Sequence, residues 1–400
     1  MASEVEGRVI AWRRDIHQNP ELSNREFRTA KLVADHLKNL GMEVWTGVAH
    51  TGVVGLLRGK KAGPVVALRA DMDALPVTEA LDLPFASKVR TTYNGQEVGV
   101  MHACGHDAHT AILMGVAEVL SAVRDRFAGS VKFIFQPAEE GAPTGEEGGA
   151  DLMIREGVLE NPRPDVIFGL HVFPFPTGQI QYRSGALMAS VDGLSIVVRG
   201  RQTHGAIPWG GVDPIVVASQ IVLGLQTIVS RQIDITEAPA VVSIGSIRGG
   251  VRSNIIPDEV EMVGTIRSLD ASVREDIHRR IKTTATHIAQ SAGASAEVTI
   301  RLGSPVVMND ANVVQRMVPT FERIVGKENV FEVPPKTTAE DFACYLEEIP
   351  GIFFFLGITP PDVDPSRAAM NHSPHFFVDE RALIVGVRAM SHLVADYMSR

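Results

Sequence analysis

The sequence predicts an α/β protein with a mixed, mostly parallel sheet, interrupted by a second α+β unit that has its own strand and helix order. Three observations carry this. Apolar blocks of strand length alternate with helix-period segments over roughly the first 180 residues, the order changes from about Met188, and the earlier style returns after about residue 303. A chain of 400 residues also exceeds what one hydrophobic core usually organises, so two domains are expected.

In chain order, residues 4–40 have helical periodicity with Ile10, Ile16, Phe27, Leu32, Val33 and Leu37 as apolar anchors, a break at Asn19-Pro20 and a stop at Gly41. GVVGLLRG and PVVALRAD are apolar blocks bounded by Gly or Pro and read as strands, residues 108–123 read as a helix, and SVKFIFQPAEEG reads as the next strand. From about Met188 the order is strand, helix (residues 214–231), two strands, helix (residues 272–292), strand, which is that of a ferredoxin-like unit. Donor-rich segments lie on both sides of it. An inserted domain at 188–302 within a discontinuous domain of 1–187 and 303–400 explains this arrangement. A helix over 312–325, the apolar strand GIFFFLG and a helix over 380–398 complete the outer domain, and PPDVDPSRAAMNHSPH is the expected long surface loop.

Composition narrows the function. Asp plus Glu number 47 against 38 Lys plus Arg, a net charge of −9 that disfavours binding to a nucleic-acid backbone. No run of about eighteen apolar residues stands out as a bilayer span, and the N-terminus is amphipathic rather than signal-like, so a cytoplasmic protein without membrane partners is expected. Cys104 and Cys344 are the two cysteines, and Cys104 sits among histidines where a thiolate is more plausible than a disulfide.

The stretch MHACGHDAHTA, residues 101–111, places a cysteine, three histidines and an aspartate on a short loop. Cys104 and His106 are one residue apart and can turn toward a common point. Alone, Cys104 could be a small buried hydrophobe, and His102 or His109 could cap a helix. Ligands in an open α/β sheet gather beyond the carboxyl ends of strands, and further donors stand there: Glu139 and Glu140 in QPAEEG, His171 in GLHVFP, and His372 with His375 in NHSPHF. Adjacent carboxylates repel unless a cation is nearby, and neighbouring side chains of an extended chain point opposite ways, so one glutamate can bind metal while the other reaches water or substrate. Cys104, His106, Glu140, His171 and His372 have the chemistry of a two-metal hydrolytic site. Asp71 and Asp73 end an apolar strand as ligands or as acceptors that orient a ligating histidine, the latter favoured for Asp73. Asp107 has the same claim, against helix capping.

Taken in order, LRADMDALPV, MHACGHDAHTA, QPAEEG, GLHVFP, GRQTHGAIPWGGVDP, SNIIPD and NHSPHF resemble the M20 metallopeptidase family, in its aminoacylase and amidohydrolase branch. The resemblance covers essentially the whole chain. It implies a zinc-peptidase-like catalytic domain with two divalent metals (zinc or manganese, with cobalt possible) and an inserted lid that often forms a dimer interface, giving a homodimer or homotetramer. By motif, Cys104, His106, Glu140, His171 and His372 fall on metal-binding positions and Glu139 on the general base. His204 matches a histidine that stabilises the developing oxyanion, and Asn254 a position at the substrate's carboxylate, near which Arg252 also stands. The implied reaction cleaves the amide of an N-acyl amino acid into a carboxylic acid and a free amino acid. Dipeptidase or carboxypeptidase action on small or blocked peptides, and a non-catalytic metal-dependent binding protein, are the alternatives. Two departures bear on details: Asp71-Met72-Asp73 replaces the His-x-Asp of the peptidase branches, and Ile207 and Trp209 stand where many relatives have a small residue and a histidine. Trp209, Phe173 and Phe175 either line an apolar acyl pocket or belong to the core.

Overall fold

The computed structural model describes residues 2–236 and 238–399, and the chain divides into two compact units. The first comprises the residues up to Gly185, Asn309–Val333 and the residues from Cys344 on; the second is Ala186–Met308 with Pro334–Ala343. The segment 334–343, which the sequence reading leaves with the outer domain, thus clusters with the second unit.

The first unit is built on an eight-stranded sheet of β1 (Glu43–Val48), β2 (Gly52–Arg58), β3 (Lys61–Asp71), β4 (Ala128–Gln136), β5 (Val166–Pro176), β6 (Ile180–Tyr182), β7 (Val330–Glu332) and β8 (Gly351–Thr359), in the order β1-β2-β4-β3-β5-β8-β6-β7. The central run β4-β3-β5-β8 is parallel, while β1 and β2 add antiparallel pairs at one edge. Parallel strands are covered on both faces, and the sequence shows it, because β8 is buried along its whole length and β5 from Val166 to Pro174.

The longer helices that flank the sheet are α1 (Ala2–Gln18), α2 (Phe27–Asn39), α3 (His106–Ala122), α4 (Ala311–Val325) and α5 (Arg381–Met398). Helix α3 is buried from His106 through Ala117 because α1 and α5 pack against it. Gly115 permits that approach, since a Cβ there would lie 2.6 Å from Val9 Cγ2 and 3.0 Å from Val387 Cγ2.

The second unit is a four-stranded antiparallel sheet in the order Ala240–Gly249, Glu259–Ser268, Ser190–Arg199, Ser295–Leu302, which is the ferredoxin-like arrangement. Helices Pro214–Gln232 and Ala271–Ser291 bury Ile221, Leu225, Ile277 and Ile281 against Ile196 and Val198. Each helix starts at an aspartate whose carboxylate accepts backbone N–H groups: Asp213 from Ile215 and Asp270 from Val273. By length and composition Pro214–Gln232 could cross a bilayer, a feature the sequence reading missed; here one side of it forms this unit's core.

Candidate metal centre

Two parallel strands, β3 and β4, end level with the middle of a third, β5. Asp71, last in β3, pairs with Gln136, last in β4, and Arg69 of β3 pairs with Gly169 of β5, which places His171 level with both ends. The QPAEE turn continues from β4, the Cys104 loop leads into α3, and the His372 loop precedes α5.

These segments bring the sequence-predicted donors together. Cys104 Sγ lies 3.4 Å from His171 Nε2, His372 Nε2 lies 3.0 Å from Glu140 Oε1, and His106 Nε2 lies 3.9 Å from Glu139 Oε2. The donor atoms of Cys104, His106 and His171 fall within 4.8 Å of one another, as do those of Cys104, Glu140 and His372, and those of His106, Glu139 and Glu140. Overlapping triads of thiol, imidazole and carboxylate could hold two neighbouring divalent ions.

The local backbone explains the convergence. Gly105 adopts φ 89° between Cys104 and His106, and a Cβ there would lie 2.3 Å from Val172 Cγ2. Gly105→Ala should therefore lower both the melting temperature and the metal content of the purified protein; a variant with both unchanged would show that the loop has room to shift. Ala138 (φ 54°) and His372 (φ 71°) are non-glycine residues in the left-handed region, a conformation that costs about 1–3 kcal/mol each and persists only where neighbours enforce it. His372 N–H donates to Ala103 O at 2.8 Å, and Asn371 Nδ2 donates to Cys104 O and Val172 O, both at 3.2 Å.

Supporting contacts fix the imidazoles. His171 Nδ1 donates to Val172 O at 2.8 Å, which leaves the Nε2 lone pair facing Cys104. His106 Nδ1 lies 3.1 Å from Asp73 Oδ1, and its buried Nε2 has no hydrogen-bond partner. An orphaned buried nitrogen costs about 1–3 kcal/mol unless a ligand meets it, so the donor set fits a metal. Asp73 Oδ2 accepts from Ser23 Oγ (2.7 Å) and Glu140 N (3.1 Å). Asp71 serves His109 Nδ1 (2.6 Å) and Arg69 Nη1 (2.6 Å), and His109 Nε2 accepts from Val172 N (2.9 Å), so His109 braces the strand of His171.

Burial opposes a charge on His106, but the Asp71, Asp73 and Glu140 carboxylates outweigh it and push the imidazole up to about 10. Burial, then Glu140, Glu139 and Asp71, push the Cys104 thiol well above its usual range, and burial with His109 holds His171 well below its own. Without metal, His106 and Cys104 keep protons that a cation must displace.

Asp107 neither caps α3 nor orients a candidate ligand. Its Oδ2 accepts from Arg13 Nε (2.7 Å) and pairs with His17 Nδ1 (2.8 Å), because the start of α3 is buried against α1 and the charge needs cations there. Phe173 is core, packed on Phe175 and Phe355 with ring centroids 5.6 Å and 4.9 Å away. In the second unit, His204, which closes the short strand Thr203–His204, and Arg252 and Asn254 on the adjoining loop are exposed, and Gly205 N–H donates to Asn254 O at 2.9 Å. Trp209, 81% exposed, follows on the His204 loop. Sequence reasoning missed Ser23, Glu26, Arg13, His17 and Asn371; polar residues in helix-like or loop segments give no sign of the partner they meet.

A thiol, imidazoles and carboxylates converging at the strand ends of a mixed sheet, with a second carboxylate beside them, are the equipment of a hydrolase that uses divalent metal. The chain belongs to peptidase family M20/M25/M40, whose profile matches residues 67–396, and it is a hydrolase acting on amides. It is 42% identical to thermostable carboxypeptidase 2 of Saccharolobus solfataricus over 99% of this chain and 97% of that one. It is 38% identical to an N-acetyl-L-cysteine deacetylase of Bacillus subtilis over 96% of this chain and 86% of that one. Among solved structures, the Bacillus subtilis YXEP protein, described as a dinuclear metal-binding peptidase of the M20 family, superposes with TM-score 0.83 at 36% identity over 99% of both chains.

Proposed function

We propose that this chain hydrolyses N-acyl amino acids to a carboxylic acid and a free amino acid, with two divalent ions held by Cys104, His106, Glu140, His171 and His372. The convergence of these donor atoms carries the reading. Zinc suits the thiol and imidazoles, manganese or cobalt the carboxylates. Bound there, the ions would supply Lewis acidity that polarises the scissile carbonyl and favours ionisation of water near neutral pH. Glu139, whose Oε2 faces His106, takes the proton of the attacking water. The hydroxyl adds to the acyl carbon, the C–N bond breaks, and Glu139 returns the proton to the leaving nitrogen. Asp73 orients His106.

The motif match supports His204 as the oxyanion donor and Asn254 with Arg252 as carboxylate contacts, with 188–302 acting as a lid and as the interface of a homodimer or homotetramer. A cytoplasmic location and the absence of nucleic-acid or membrane partners complete the proposal. Relatives named N-acetyl-L-cysteine deacetylase and IAA-amino acid hydrolase ILR1-like 2, the latter from Arabidopsis thaliana, favour the N-acyl amino acid class. The Saccharolobus carboxypeptidases favour a second reading, release of C-terminal amino acids from small peptides.

Metal content measured together with amino-acid release from N-acyl amino acids and dipeptides, with and without chelator, tests this. Two metals per chain and chelator-sensitive release from N-acyl substrates are expected; release from dipeptides alone would favour the second reading, and no release after metal loading would refute both. Metal binding should also expel protons. Because His106 is held up to about 10 and the Cys104 thiol is pushed up as well, zinc affinity of the stripped protein should rise with pH across the neutral range. Calorimetric titration in buffers of different ionisation enthalpy reads the release; a binding heat independent of buffer would mean that the donors are already deprotonated.

A further inference from the structure

Two glutamates that precede helix α2 take different work. Glu21 accepts the N–H groups of Arg28 and Thr29, both at 2.9 Å, and so satisfies the helix start. Glu26, at the same helix start, is left to turn inward and is fully buried.

One of its contacts is with the segment that carries Glu139. Glu26 Oε1 accepts from Ala138 N (3.0 Å) and Asn24 N (3.1 Å), and Oε2 accepts from Thr51 Oγ1 (2.5 Å). Ala138, itself buried, holds φ 54°, which an alanine adopts only under constraint. One residue beyond Glu139, Glu140 N donates to Asp73 Oδ2 at 3.1 Å. Two buried carboxylates thus grip the backbone amides on either side of Glu139, one from each neighbouring residue.

We infer that Glu26 is a positioning residue for Glu139: its carboxylate reaches the Ala138 amide, fixes the left-handed turn there, and so aims the Glu139 carboxylate at the reacting centre. Holding two carboxyl groups this close has a cost, since burial and the charge of Asp73 push Glu26 up to about 8.

The inference rests on Glu139 being the general base, and reach distinguishes it from a role in charge. Glu26→Gln keeps the length; its carbonyl oxygen can still accept from Ala138 and Asn24, and its amide can donate to Thr51. Glu26→Asp keeps the carboxyl group but withdraws the acceptor by one methylene. With the wild type's best N-acyl amino acid as probe, Glu26→Gln should retain kcat within a few-fold. Glu26→Asp should lose on the order of 10²-fold in kcat, the loss that a misplacement of about 1 Å brings, with KM and metal content unchanged.

A wild-type kcat in Glu26→Asp, or a loss in Glu26→Gln as large as in Glu26→Asp, would overturn the inference. A fall in melting temperature and metal content with kcat per metal-loaded chain intact would also overturn it, by reducing Glu26 to a structural residue. If the wild type itself releases no amino acid, the functional reading fails, and this inference with it. If Glu139→Gln proves fully active while the wild type is active, the fault lies in the assignment of the base and the inference falls on that ground alone.

Discussion

Glu139→Gln should yield a folded protein that keeps its metal and turns over about 10²- to 10⁴-fold more slowly, the range that a positioned general base contributes. The substitution preserves shape and hydrogen-bonding reach but removes the ability to accept and return a proton. KM should stay near wild type, because the lost interaction belongs to the transition state. The neighbouring substitution gives the contrast. Glu140 Oε1 faces His372 Nε2 at 3.0 Å and its triad includes Cys104, whereas Glu139 Oε2 faces His106. Glu140→Gln should therefore lose metal as well as activity. Steady-state kinetics and metal analysis on both variants read the division; metal loss in Glu139→Gln with metal kept in Glu140→Gln would exchange the two roles.

What the sequence made legible was burial and chemistry, and what it hid was partnership. Apolar blocks such as GIFFFLG and VIFGLHVFP became the buried strands β8 and β5 because a strand covered on both faces needs no polar alternation. The strand and helix order after Met188 gave the ferredoxin-like sheet, since few topologies satisfy that order with short connections. Cys104, His106, Glu140, His171 and His372 could be read as one group because ligands collect at strand ends, and their donor atoms do lie together. Sheet order was not legible: nothing in β4 announces that it lies between β2 and β3. Asp73 could be favoured as the acceptor for a ligating histidine, but that Asp73 meets His106 while Asp71 meets His109 depends on where α3 docks. Glu26 reads as an ordinary helix-start acid until Ala138 arrives from 112 residues away.

Asp107 is the residue for which the structure departs furthest from the sequence reading, and its replacement should bring the largest loss of stability. Asp107→Asn should cost about 3–5 kcal/mol, the usual result of removing one partner from a buried ion pair. The side chains of Asp107 and Arg13 are 0% and 1% exposed, and the acids that remain nearby are Glu380, whose Oε1 stands 3.5 Å from Arg13 Nη1, and Glu79, whose Oε1 stands 3.2 Å from His17 Nε2. The effect should depend on pH from both sides. Burial opposes the Asp107 charge, but Arg13 and His17 prevail and hold the carboxyl well below its usual range. Its contribution is therefore present above the unfolded carboxyl value of about 4 and is lost as pH falls below it. His17 runs the other way. Burial opposes its proton, Asp107 with help from Glu79 outweighs burial, and the raised folded value gives stability that is complete below the unfolded value of about 6.5 and lost as pH climbs through the raised folded value. The penalty of Asp107→Asn should thus peak between about pH 4 and 6.5 and shrink on either side, as urea midpoints of wild type and variant across that range would show. A penalty of the same size at about pH 5 and at about pH 9 would remove His17 from the account and leave Arg13 as the sole partner that matters. A midpoint unmoved at about pH 5 would mean that Glu380 takes over Arg13, and that the first turn of α3, which carries His106, does not depend on α1 for its footing.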